Sequence, residues 1–299
     1  MLGWRLTVSA ILVPCILFLF WWDDSLGNGA PVLLVLCLGL SVRSAWEMSC
    51  LLKTRAMQPT FELVAVCNIG LIFAAWSHFR WQQLLPSDTL ALLGSLGVIG
   101  LTVMVCLLLL MVWQCIRYRK PEHSMESLGA DLLTVCYTGG LLALLAQFRW
   151  FPTPELGYFA IASVIIPAKA GDIMAYTLGR LFGKRKMVPT LSPGKTWMGG
   201  IGALLGSSLG AWLWFVFGLS LFDSGARTVD VASVLLLGMT LGVVGLVGDL
   251  AESLIKRDCE KKDSANLMPG FGGLLDLLDS PLFCGPVALI WWLVWPPLA

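Results

Sequence analysis

Nine apolar stretches, each near the length needed to cross a bilayer, follow one another along this 299-residue chain. They lie at about 4–22, 30–52, 61–78, 89–113, 130–148, 155–178, 197–222, 231–251 and 281–298, with soft ends. A spanning helix needs roughly 20 mostly apolar residues. Only 13% of the residues are charged, where a soluble domain carries about 25%. The expected fold is therefore all-α: a polytopic integral membrane protein with about nine transmembrane helices. Eight is the alternative count, if the first segment is weak or the last re-entrant. Arg5 precedes the first segment and no small-residue cleavage site follows it, so it reads as a retained anchor.

Lysine and arginine placement orients this array. With the N-terminus in the cytoplasm, that side holds Arg5, Lys53, Arg55, Arg117, Arg119, Lys120, Arg180, Lys184–Lys186, Lys195, Lys256, Arg257, Lys261 and Lys262. The opposite side holds Arg80, Arg149 and Arg227, and Arg43 and Lys169 fall within spans, where Arg43 and Glu47, four apart, can simply pair. Cationic loops stay on the cytoplasmic side. The expected location is the cytoplasmic membrane, multi-pass, N-terminus inside, with both charge-rich loops facing the cytoplasm. The nine cysteines lie mostly in apolar runs with no C-x-x-C pair, and there are two histidines. They read as small buried hydrophobes, and no His/Cys zinc site is expected. A net charge of +1 offers no argument for nucleic acid, and no such partner is expected.

The chain divides by chemistry. Residues 1–150 carry five spans with few charges, a scaffold with room for a lipid groove. Residues 151–299 carry four spans and nearly all the convergent polar groups. With no linker between them, one continuous membrane domain is expected. Gly202, Gly206 and Gly210, then Gly238 and Gly242, recur every four residues; such spacing lets helix backbones approach. Trp21, Trp22, Trp291, Trp292 and Trp295 sit near span ends and suit the interface.

Three segments carry chemistry. Between apolar spans, 249–280 holds Asp249, Glu252, Asp258, Glu260, Asp263, Asp276 and Asp279 against Lys256, Arg257, Lys261 and Lys262. Charge is costly in a bilayer, so such an island suggests a site for a metal and a phosphorylated ligand. If the eighth helix runs past the membrane, Asp249, Glu252 and Lys256 share a face. Asp276 and Asp279 share another. Carboxylates from two helices could clamp one or two divalent ions during phosphoryl transfer. Gly270, Gly272 and Gly273 allow a tight turn between them. In the second segment, Lys169 and Asp172 are three apart at the cytoplasmic end of a span, a pair able to neutralise itself; alternatively Asp172 supports a site and the cluster 184–186 attracts polyanions. The third, Ser192-Pro-Gly-Lys195-Thr196-Trp197, resembles the end of a P-loop. The required first glycine is Pro189, and no strand is expected before it. Ser192 or Thr196 can cap the next helix, with Lys195 at its anion-favouring N-terminus.

These residues resemble the CDP-diacylglycerol synthase (phosphatidate cytidylyltransferase) family. Its C-terminal signature is S-x-apolar-K-R, four residues, K-D, then P-G-H-G-G and D-R-apolar-D. Ser253, Lys256, Arg257, Lys262, Asp263, Pro269, Gly270, Gly272, Gly273, Asp276 and Asp279 match in register. An upstream block is met by Asp172, Ala175, Tyr176, Gly179, Phe182, Gly183, Lys184, Ser192, Pro193, Lys195, Thr196, Trp197 and Gly199. The resemblance covers about 170–280. Three positions depart from it, each polar in the family and apolar here: Phe271, Leu277 and Met198.

The resemblance implies Mg2+-dependent transfer of CMP from CTP to phosphatidate, with CDP-diacylglycerol and pyrophosphate as products. It implies a metal at Asp249 and Asp276, supported by Asp279 and Glu252, with a second ion open. Lys195, Lys256 and Arg257 would hold phosphates, with Lys184 and Lys262 behind them, and Ser192, Thr196 and Asp172 would line the substrate site. CTP, phosphatidate or a related lipid, and bilayer lipids are the expected partners; a homodimer is one expected assembly. Two alternatives follow from the departures: a CTP-dependent enzyme with another lipid acceptor, and a degenerate membrane protein without catalysis.

Overall fold

The computed structural model describes residues 18–55, 57–77, 87–121, 123–222, 227–265 and 272–298. Among them, seven helices are long and apolar enough to cross a membrane. The elements in order are α1 (Pro31–Leu52), α2 (Phe61–Ala75), α3 (Leu96–Arg117), α4 (Ser124–Trp150) and α5 (Gly157–Phe182). A small antiparallel hairpin, β1 (Lys186–Val188) and β2 (Ser192–Thr196), comes next. Then follow α6 (Trp197–Leu213), α7 (Val231–Asp258) and α8 (Leu275–Val294). The chain is an all-α polytopic membrane protein. The segment expected at 61–78 is the shorter apolar helix α2. The segment expected at about 4–22 lies outside the described residues apart from 18–22, which begin a short helix. Arg5, Cys15, His78, Arg80, Pro269, Gly270 and Phe271 also lie outside them.

Two boundaries differ from expectation, each for a physical reason. No strand was expected before Ser192, yet β1 is there, with Lys186 opposite Thr196 and Val188 opposite Ser192. A three-residue strand offers too few side chains for alternation to show. The last helix starts at Leu275 and not near 281, and it contains Pro281 and Pro286. Its first turn is polar because it carries Asp276 and Asp279, so hydropathy placed the start too late.

The chain forms two compact units, 1–147 with 259–277 and 148–258 with 278–299. In the first, buried polar groups join helices. Asp23 accepts from Val32 N–H at 2.7 Å and Leu33 N–H at 3.1 Å, capping α1. Asn68 on α2 donates to Thr138 Oγ1 on α4 at 2.8 Å and to Ser41 O on α1 at 3.3 Å. Asp131 on α4 accepts from Thr60 N–H at 2.8 Å and Gln114 Nε2 at 3.4 Å. Bonds of this kind contribute about 0.6–2 kcal/mol each between membrane helices. Arg43 pairs with Glu47 one turn later, at 3.1 Å. Leu101, Leu108 and Val112 on α3 face outward, as lipid-facing residues should.

The second unit is packed through its small residues. A Cβ built on Gly206 would meet Ala170 O of α5 at 2.6 Å, and one on Gly238 would meet Ser208 Cα of α6 at 2.5 Å. Gly202, Gly210 and Gly242 make similar approaches. The expected role of the four-residue spacing is therefore seen directly: α5, α6 and α7 touch backbone to backbone. Lipid tails are as apolar as leucine, so close van der Waals contact drives this packing.

Candidate active site

The hairpin and four helices, α5 to α8, supply the site within the second unit. Gly183 ends α5, and a Cβ there would collide with Gly179 O and with Thr196. The chain must therefore turn back tightly, and Trp197 N–H donates to Arg185 O at 3.1 Å to close the hairpin base. Thr196 then caps α6, its Oγ1 accepting from Gly199 N–H at 3.1 Å. This is the capping role expected of Ser192 or Thr196, and it falls to Thr196.

Capping α6 directs Lys195 across to α7. Its Nζ lies 2.7 Å from Asp249 Oδ2 and 3.3 Å from Leu246 O. α7 continues to Asp258, so Asp249, Glu252 and Lys256 do share a face. Glu252 is 1% exposed and accepts from Lys256 Nζ at 2.5 Å through Oε2. Arg257 Nε reaches Leu191 O in the hairpin turn at 3.4 Å. From α8 comes Asp279, 5% exposed. One oxygen from each of Asp249, Glu252 and Asp279 lies within 4.8 Å of the other two.

A second set of polar groups adjoins Asp279. Lys169 Nζ on α5 is 3.0 Å from Asp172 Oδ2 and 3.9 Å from Asp279 Oδ1. Ser280 Oγ lies 3.2 Å from Asp172 Oδ1 and 3.4 Å from Asp279 Oδ1. Beside these groups runs a cavity of about 550 Å3, whose lining includes Asp172, Tyr176, Arg180, Ser192, Lys195 and Asp249. That volume lies within the range of small-molecule sites.

The donor set fits Mg2+. Carboxylate oxygens are the hard ligands this ion takes, at 2.0–2.1 Å, so ligand oxygens on one ion are at most about 4.2 Å apart. The observed 4.8 Å spread needs only a small closing movement.

Asp276, the other expected ligand, is held differently, in the first unit. Its Oδ2 accepts from Ser264 N–H at 2.9 Å, Ser264 Oγ at 2.7 Å and Gly273 N–H at 2.7 Å. Gly272 allows this turn with a φ of +89°. Glu47, fully buried, completes the loop: it accepts from Ser264 Oγ at 3.1 Å, Leu274 N–H at 3.1 Å and Leu275 N–H at 3.0 Å.

Of the expected residues, Asp249, Glu252, Asp279, Asp172, Lys195, Lys256, Thr196 and Ser192 fall in or beside one cluster. Lys184 and Lys262 are exposed. Met198 and Leu277 are half-buried. The sequence reading gave Lys169 no place in the site and Glu47 no partner beyond Arg43. A lysine inside an apolar span was the available signal for the first. None existed for the second, whose contacts lie 217 to 228 residues away.

The profile of the cytidylyltransferase family matches residues 4–295. A phosphatidate cytidylyltransferase of Chlamydia pneumoniae is 30% identical over 255 residues, covering 83% of this chain and 78% of that protein. One from Haemophilus influenzae is 29% identical over 280 residues, covering 91% and 90%. An uncharacterised protein of Escherichia coli is 37% identical over 172 residues, covering 56% and 54%. Such a match along nearly the whole chain makes this protein a member of the cytidylyltransferase family and a membrane-embedded nucleotidyltransferase.

Proposed function

We propose that the protein transfers CMP from CTP to phosphatidate, forming CDP-diacylglycerol and releasing pyrophosphate, with Mg2+ required. The observation that carries this reading is the convergence of Asp249, Glu252 and Asp279 beneath Lys195 and Lys256. The names of the relatives above support phosphatidate as acceptor.

In this reaction a phosphate oxygen of phosphatidate attacks the α-phosphorus of CTP. The bond from that phosphorus to the bridging oxygen breaks, and pyrophosphate carries away the electron pair. The nucleophile is already an oxyanion, so no covalent enzyme intermediate is needed. Bound at Asp249, Glu252 and Asp279, Mg2+ would supply neutralisation of phosphate charge. The rest is positioning and electrostatics. Lys195 and Lys256 each rest on a carboxylate of the cluster. With the triphosphate bound, these ammonium groups would turn from the carboxylates toward phosphate oxygens, leaving Asp249 and Glu252 available to hold the ion. Arg257, at the hairpin turn, joins them, with Lys184 and Lys262 as outer cations. In this reading Asp276 orders the signature loop. The lysine and arginine distribution supports a site that opens to the cytoplasm for CTP and sideways to the bilayer for phosphatidate.

The test is incorporation of labelled CTP into chloroform-soluble product by purified protein. Product should require phosphatidate and Mg2+ and be lost in Asp249→Asn. Full activity without Mg2+, or in Asp249→Asn, would overturn the metal assignment. Leu277, apolar where the family signature is cationic, favours a second reading: the same transfer to another anionic lipid. Product formed with such a lipid, and none with phosphatidate, would select it.

A further inference from the structure

Lys169 is the charge that the reaction above leaves unused. It stands thirteen residues before the end of α5 at Phe182, roughly 20 Å along the helix axis. An ammonium group within an apolar span is costly and points to a function. Lys195 and Lys256 approach the cluster from the hairpin and from the end of α7. Lys169 comes from within the span and contacts two carboxylates at once, Asp172 at 3.0 Å and Asp279 at 3.9 Å. Ser280 Oγ ties the same two together, at 3.2 and 3.4 Å.

Catalytic centres with two metal ions hold them about 3.5–4 Å apart, with a carboxylate shared between them. Here Asp279 is the shared group. On one side it meets Asp249 and Glu252. It is also linked to Asp172, through Lys169 and Ser280, and the cation between the two carboxylates is Lys169.

We propose that Lys169 is a fixed cation of this site: its ammonium group takes the place of a second metal ion between Asp172 and Asp279, so that the cluster binds one divalent ion. This rests on the metal reading given above and deepens it. Lys169 is a positioning residue, since it acts on the substrate only through Asp279. It replaces an ion that would have to be captured from solution with one that is covalently attached.

The experiment counts bound Mn2+ by electron paramagnetic resonance on purified full-length protein, and follows activity against Mg2+ concentration in parallel. The native protein should bind one Mn2+. Lys169→Arg should keep that count. Lys169→Met should bind two, because Asp172 and Asp279 then face each other without their ammonium. Lys169→Met combined with Asp172→Asn removes charge of both signs and should return the count to one. Its Mn2+ affinity should be at least tenfold weaker, as Asp279 loses two of its neighbours. Two ions in the native protein would overturn the inference, leaving the proposed reaction intact. So would native Mn2+ affinity and activity in the double variant, a result that stands even if Lys169→Met fails to fold. No Mn2+ bound by the native protein would remove the metal reading itself, and this inference with it.

Discussion

Two groups of carboxylates in this protein are neutralised in different ways. In the first unit, Glu47 and Asp276 accept from backbone N–H groups and the Ser264 hydroxyl, with Arg43 also on Glu47. In the second, Asp249 and Glu252 face lysine ammonium groups. Backbone dipoles are part of the chain and cannot leave, so they hold a carboxylate for good. Ammonium groups on four-carbon stems can move to another anion when one is offered. The type of partner therefore separates carboxylates that fix a loop from carboxylates that exchange ligands.

The sharpest test of this contrast is Asp249→Asn. Activity should fall roughly a hundredfold or more, with the thermal unfolding midpoint in detergent unchanged. A large drop in that midpoint would put Asp249 in the structural class. Glu47→Gln should do the reverse. Losing charge-assisted bonds at a buried site costs about 2 kcal/mol, read as a lower unfolding midpoint, while the Mg2+ concentration for half-maximal activity stays put. Lys195→Met should raise KM for CTP about tenfold, equivalent to about 1.4 kcal/mol, with a smaller change in kcat. A change in kcat alone would deny that Lys195 holds the triphosphate before reaction. The smallest effect belongs to Thr196→Val. Loss of the α6 cap should cost about 1 kcal/mol of stability, and activity should fall only as far as Lys195 loses its direction.

Helical periodicity made Asp249, Glu252 and Lys256 legible, because all three sit on one continuous helix and the face follows from spacing alone. Thr196 was legible for the same local reason, being a hydroxyl just before an apolar run. Asp279 could be named, but its position depends on α8 starting at Leu275, inside a stretch too polar for a hydropathy reading. Three-residue spacing offers Lys169 and Asp172 as a self-neutralising pair or Asp172 as support for a site, and the two do pair. What spacing could not show is that α8 brings Asp279 and Ser280 against them. Glu47 was paired with Arg43 by its i, i+4 spacing, correctly. Its larger role needs residues more than two hundred positions away, and no local pattern carries that.

Contact of α5, α6 and α7 through bare backbone has a consequence for how this pocket can evolve. Where helices meet through large side chains, substitutions can adjust their separation by small steps. Gly206 and Gly238 leave no such steps, since one added carbon already meets a neighbouring backbone atom. The spacing of these walls is frozen, and drift is confined to residues that face the cavity, such as Tyr176 and Ser192. A saturation-mutagenesis map of this unit should show intolerant glycine columns on the helix contacts beside permissive positions on the lining. New substrate preferences would then arise by repainting a cavity whose dimensions are inherited unchanged.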